Sequence, residues 1–255
     1  MLNGNVLLTL VPALLLSSVH VWASLLYPER IIAHKYWLSF ADGVSITYIF
    51  LQLLSEITKL IHSPVRPTNT WHSRSIAEST EPYLGWLEHY PFLPLLAAVV
   101  IFYGLQRLME QPDQSGAGRG AQLPPLRIWI HLAGFSFYKM LIGYILAGMT
   151  DAVTVAVFTI AIAMHFFVVD FHLVEIHPSV YTRIGRWVLS VALLVGWNIG
   201  VVIAIPPLML ALMLSFVSGG AILMVIQEEF TERRPASYGG FLLGVVIYSG
   251  FLFML

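Results

Sequence analysis

Cysteine is absent from the 255 residues. That excludes a disulfide framework, a thiolate metal site and a cysteine nucleophile, and leaves any metal to His, Asp, Glu, Asn or Met. Charge is scarce as well. Asp, Glu, Lys and Arg make up 11% of the chain, against about 25% in an ordinary soluble domain. The formal net charge is -1, so no basic surface suits a nucleic acid, and that class of partner is excluded. The sequence also lacks a Gly-x-Ser-x-Gly elbow, a His-Glu-x-x-His helix and a phosphate-binding loop, so no enzyme class that carries one of these motifs is favoured.

What fills the chain is apolar: 58% of its residues are hydrophobic. They fall in blocks of about 18–24 residues, the length that crosses a hydrocarbon core of roughly 30 Å at 1.5 Å per residue. The blocks lie at 6–26, 39–61, 91–108, 127–148, 152–174, 187–204, 207–227 and 238–255. The fold class expected is therefore all-α, a polytopic membrane bundle of about eight transmembrane helices forming one domain over 1–255, with the lipid bilayer as its first partner. The first block has no positively charged start and no small-x-small cleavage site, and it reads as a retained helix rather than a signal peptide. Pro206 and Pro207 separate the sixth and seventh blocks, where two missing N–H groups predict a sharp break. Two long connections, an outer loop over 62–90 and an inner loop over 109–126, belong outside the bilayer, because irregular backbone is not tolerated against lipid.

Lys and Arg placement sets the expected orientation. One side gathers Arg30, Lys35, Arg107, Arg119, Arg127, Arg183, Arg186, Arg233 and Arg234, and the other only Lys59, Arg66 and Arg74. Both termini are thereby expected outside, in a plasma or inner membrane.

Ionisable groups inside apolar blocks cost free energy and face a bundle interior, which makes each one a functional candidate. They are Asp42 and Glu56 in the second block, Lys139 in the fourth, and His165, Asp170 and His172 in the fifth, with Glu228 and Glu229 ending the seventh. Lys139 lies twelve residues beyond Arg127, about 18 Å along a helix and hence at mid-membrane. There it snorkels, pairs with Asp170, Asp42 or Asp151, or gives up its proton. A buried structural pair, a proton relay and a substrate contact all remain open. His165 and His172, seven residues apart, share nearly one helical face but stand about 10 Å apart along it, and Asp170 points elsewhere. As packed histidines they need no ligand; as a metal set, His165, Asp170 and His172 would need help from a further group. Glycines at 134, 143, 148, 219, 220, 239, 240 and 244 permit close helix contact.

The second block, FADGVSITYIFLQLLSEI over 40–57, resembles the second span of the ZIP metal transporters, with Gly43, Val44, Leu53, Leu54 and Glu56 in matching places. The third block, ending GLQRLMEQ, is similar to that family's third helix. SFVSGGAILMVIQEE over 215–229 resembles its seventh, and YGGFLLG is in keeping with the start of its eighth. The resemblance implies a ZIP-like fold, a homodimer, and transport of a divalent metal ion, which would be a substrate rather than a cofactor. It also implies a metal site on the fourth and fifth helices, and there the sequence departs from the pattern. Tyr138 stands at the expected His, Lys139 beside it and Ile142 at the acid before Gly143. In the fifth helix His165 matches, but Val169 replaces the Glu and Asp170 comes one residue late; Gln52 replaces a His in the second. An ammonium repels a divalent cation and an isoleucine cannot ligate one, so the standard two-metal site is not expected.

The leading functional expectation is a ZIP-like transporter of a divalent metal or another small solute through an altered pathway lined by Gln52, Glu56, Tyr138, Lys139, His165 and Asp170. A non-transporting scaffold or regulatory protein that keeps the fold is the alternative. A third reading, an intramembrane metal-dependent hydrolase, would need three of His131, His165, Asp170, His172 and His177 at one depth.

Overall fold

A computed structural model describes residues 4–25, 34–61, 89–110, 126–176, 178–230 and 236–255. Most of the two long connections, and His177, lie outside the described residues. Those described form eight helices of sixteen residues or more and no strand. They are α1 (Gly4–Leu25), α2 (34–61), α3 (Leu93–Glu110), α4 (Leu126–Ala147), α5 (Ala152–Ile176), α6 (Pro178–Val202), α7 (Pro207–Phe230) and α8 (Tyr238–Phe253). Five of them, α2 and α4 to α7, are long and apolar enough to cross a membrane. Residues 203–206 interrupt the helical run between α6 and α7, as the proline pair requires.

The surface suits lipid better than water. Leu7, Val11, Trp22, Phe50, Val100, Val191, Val202 and Val246 each expose more than half of their area, while Asp42, Lys139, His165 and Asp170 are buried. This inversion is the pattern of a helical bundle whose solvent is hydrocarbon, where backbone groups bond within each helix and side-chain polarity turns inward.

Helix contacts divide the bundle into two groups. In one, α4 packs along α6, and α1 lies against α5 and α6; in the other, α2 packs along α8 and α3 along α7, with α2 against α7 as well. The main bridge between the groups is α2 against α5, supplemented by α4 against α3 and α7. Two of these contacts are set by glycine. A Cβ on Gly143 would overlap the Leu193 carbonyl, and one on Gly196 the Met140 carbonyl, so α4 and α6 touch backbone to backbone. Gly43 meets Phe241 and Gly244 meets Phe40 in the same way at α2 and α8. Without a hydrophobic drive between helices in lipid, such close van der Waals approach is a main source of association. Polar pairs reinforce it: Ser17 Oγ and Ser190 Oγ each donate to the other's carbonyl, at 3.3 and 2.8 Å, and Trp197 Nε1 donates to Thr9 Oγ1 at 3.0 Å, tying α1 to α6.

Candidate functional site

The first group of helices closes around an ionisable cluster. His20 comes from α1, Tyr138 and Lys139 from α4, His165, Phe166 and Asp170 from α5, and Tyr181 from α6. His20, Lys139 and Asp170 are each 0% exposed, so whatever charge they carry is compensated by protein and not by solvent. His20 Nδ1 lies 2.6 Å from Asp170 Oδ2, a charge-assisted contact at the short end of its range. The His20 ring stacks on Phe166 with centroids 4.9 Å apart, and Lys139 Nζ sits 3.3 Å from the centroid of the same Phe166 ring. A desolvated ammonium over an aromatic face gains about 2 kcal/mol, less than the several kcal/mol that burying it costs. The remaining compensation falls to Asp170, whose field reaches Lys139. Tyr181 donates to the His20 carbonyl at 3.3 Å and its hydroxyl also faces the Asp170 carboxyl. Beside this group the Tyr138 hydroxyl meets His165 Nε2 at 3.1 Å. Lys139 Nζ, His20 Nε2 and Asp170 Oδ1 make no hydrogen bond among the described residues.

Two expectations need correcting here. Lys139 does not form a direct ion pair with Asp170, Asp42 or Asp151: the near oxygen of Asp170 is taken by His20, and Asp151 stands at the start of α5, where it caps the helix through Thr154. The set of His165, Asp170 and His172 is not gathered either. His165 turns to Tyr138 on α4, Asp170 to His20 on α1, and His172 Nδ1 to Glu228 Oε1 on α7 at 2.6 Å. His165 and His172 share a face of α5, as their spacing demands, but different helices cover that face at different depths. Among the described residues no group of three or more His, Asp or Glu is placed to hold a metal ion.

Two cavities flank the cluster. The wider, of about 320 Å³, opens where α2, α4, α5 and α7 meet, and Gln52, Glu56, Lys59, Asp151 and Thr154 supply its polar lining over a floor that includes Tyr48, Leu53 and Ile145. Glu56 and Lys59 pair at 3.3 Å on its exposed rim. Asp151 accepts from the Thr154 backbone N–H at 2.7 Å and from its hydroxyl at 2.8 Å, and these bonds, the backbone one first, hold its carboxyl below the ordinary carboxylate value. The smaller cavity, of about 30 Å³, lies toward the N-terminal ends of α4 and α6 and is lined by Leu132, His131, Phe135, Leu173, Tyr181 and Gly185 among others.

The expected pathway residues therefore fall in two places. Tyr138, Lys139, His165 and Asp170 belong to the buried cluster, and Gln52 and Glu56 to the wide cavity. His20 and Tyr181 belong to the cluster too and escaped the sequence reading. His20 had a signal, being a single ionisable side chain within the apolar run VPALLLSSVHVWASL. Tyr181 had none, because it lies in a π-helical turn, Tyr181–Gly185, that shifts the facing side of α6; Gln52 lies in the corresponding turn of α2, Ile49–Leu53. Such turns recur at functional positions because the extra residue re-aims a side chain without ending the helix. No protein-family model, no curated protein and no solved structure matches this chain.

Proposed function

We propose that the chain is an integral membrane carrier of a small solute, built on a ZIP-like scaffold in which a lysine-centred cluster stands where metal ligands are expected. One observation carries this reading: the sealed cluster lies between two cavities along both α4 and α5. Along α4 and the two residues after it, the small cavity takes residues between Ile128 and Phe135, the cluster takes Tyr138 and Lys139, and the wide cavity takes Ile145, Gly148 and Met149. On α5 the order runs in reverse, from Thr154 through His165 and Asp170 to Leu173. Ionisable groups that the bilayer makes costly, set between openings at opposite ends, are what a carrier requires.

In this reading all eight helices cross the bilayer, with both termini outside a plasma or inner membrane, and the wide cavity is the outer vestibule. The likeness of residues 40–57 and 215–229 to ZIP helices supports the scaffold, and a homodimer follows from the likeness. Gln52 and Glu56 receive the solute and Lys139, Asp170, Tyr138 and His165 form the barrier it must pass. The solute is a divalent metal or another small species; a fixed ammonium at Lys139 opposes a metal at the cluster itself. We read the chain as a non-enzyme.

The test is flux in proteoliposomes, with Zn²⁺, Mn²⁺ and methylammonium each offered outside. Saturable uptake of one of them, abolished in folded Lys139→Ala protein, supports the carrier. Rates equal to protein-free vesicles for all three would refute it for these solutes and favour the second reading, a non-transporting scaffold. That alternative draws on the complete burial of Lys139 over the Phe166 ring.

A further inference from the structure

We infer that the buried cluster holds one exchangeable proton, shared between Lys139 and the His20–Asp170 pair, and that Tyr181 passes this proton to the small cavity. The coupling of that proton to solute movement rests on the carrier reading; the proton site itself does not.

The argument begins with a charge count. The sealed core brings together the bases His20 from α1, Lys139 from α4 and His165 from α5, the single carboxylate Asp170, and the phenols Tyr138 and Tyr181. One carboxylate neutralises one cation, and a second net charge in this environment costs several kcal/mol. The neutral cluster therefore carries one proton beyond its neutral bases and carboxylate. Two bases compete for that proton. His20 touches the carboxylate at 2.6 Å, while Lys139 rests on the Phe166 face within the carboxylate's field. Groups coupled this closely titrate as a unit, and the proton belongs to the cluster rather than to either residue.

Transfer between the two places balances simply. Lys139 releases a proton from Nζ and becomes a neutral amine; the His20–Asp170 pair takes it up and becomes imidazolium–carboxylate, with no change in the charge of the core. The orphaned atoms, Lys139 Nζ, His20 Nε2 and Asp170 Oδ1, are those that such an exchange would use. Leaving the core requires a further step, and Tyr181 fits it: its oxygen accepts the proton from the Asp170 carboxyl while its own hydroxyl proton, released from the His20 carbonyl, passes to the small cavity. Its hydroxyl faces Asp170, and its side chain also lines the small cavity together with His131. A space of about 30 Å³ has room for a water, which needs roughly 10–15 Å³ and polar partners.

On the wide-cavity side, the described residues Ile142, Ile145, Leu146 and Phe158 are buried and apolar. The other charged groups on neighbouring elements are accounted for. Arg186 of α6 acts on Tyr181, Asp42 is buried on α2, which packs on α5, and His172 is engaged by Glu228 of α7.

The chain has only three lysines, Lys35, Lys59 and Lys139, which makes a direct test practical. Full-length protein in detergent, carrying ¹³C/¹⁵N-labelled lysine, is titrated from about pH 5 to about pH 9, with the Lys139 signal assigned by its loss in Lys139→Met. The expected result is a Lys139 titration inside that range whose midpoint moves in Asp170→Asn. Tyr181→Phe is expected to slow proton exchange at Nζ by roughly 100-fold, the size of one lost acid–base step, while a Lys139 titration persists. A Lys139 signal that stays constant across the range overturns the proposal, as does one that titrates identically in Asp170→Asn. Exchange unchanged in Tyr181→Phe overturns the assigned route. None of these readings depends on flux, so a titrating lysine without solute uptake would sink the carrier and leave the proton site standing.

Discussion

Replacing Asp170 by Asn keeps the side chain's shape and one acceptor for His20, and removes only the negative charge. Asp170, His20 and Lys139 are all 0% exposed, so no water can make up the loss. The contact at 2.6 Å falls from a charge-assisted hydrogen bond to a neutral one, a change of about 1 kcal/mol. The larger effect is on Lys139, left without its counter-charge, and at a pH low enough to keep the ammonium, removing one partner from a buried charge group costs about 3–5 kcal/mol. Asp170→Asn should therefore lower stability by about 3–5 kcal/mol, or roughly 6–20 °C in a thermal melt at about 2–4 °C per kcal/mol for a chain of this size. The pairing of the two sites is tested by Lys139→Met together with Asp170→Asn. That double variant no longer contains the stranded ammonium, and it should recover at least about 2 kcal/mol relative to Asp170→Asn alone, within the range of measured couplings between neighbours. Unfolding of the detergent-solubilised protein, followed by tryptophan fluorescence, gives all the midpoints. An Asp170→Asn melt within about 2 °C of wild type, or a double variant as unstable as the sum of the two singles, would refute the charge argument.

The remaining predictions concern single contacts. Tyr138→Phe strands His165 Nε2 in a buried site and should cost about 1–3 kcal/mol in the same melt. Gly143→Val drives a side chain into the Leu193 carbonyl and should prevent α4 from seating on α6, seen as loss of the folded peak in size-exclusion chromatography. Gly104→Ala makes a sharp control, because nothing lies within 4 Å of the added methyl and the helix gains about 0.5–1 kcal/mol. Asp151 works through pH. Its carboxyl titrates below the ordinary carboxylate value because Thr154 donates to it, so its capping contribution is complete above that ordinary value and disappears as pH falls through the lower folded one. Asp151→Ala should melt below wild type at neutral pH, with the gap closing once pH drops below about 4.

The helices were largely legible because the physics that makes them is one-dimensional. An apolar run long enough to cross a bilayer admits only a helix, and the helices α1 to α8 overlap the eight apolar blocks, with ends shifted by up to five residues except at α6, which starts nine residues before its block. What pairs with what was not legible. Gly43, Gly196 and Gly200 set close contacts but carried no mark of it, since only the facing backbone reveals the need for a missing Cβ. The cluster shows the same divide. Lys139, His165 and Asp170 stood out as charged groups in apolar surroundings, but the partner of Asp170 is 150 residues away on α1, and a partner fixed by packing leaves no spacing to read. The π turns hid Tyr181 for a related reason, because each slips the helical register that face-counting assumes.

The central claim is that a sealed cluster separates cavities open to opposite sides of the membrane, and the absence of cysteine makes it testable without background. Single cysteines at Gln52, in the wide cavity, and at Val180, at the partly exposed edge of the small one, can be reacted in sealed proteoliposomes with a membrane-impermeant maleimide added on one side or the other. The account predicts that Gln52→Cys reacts from one side only and Val180→Cys from the opposite side only. Reaction of both from the same side, or of neither from any side, would contradict it.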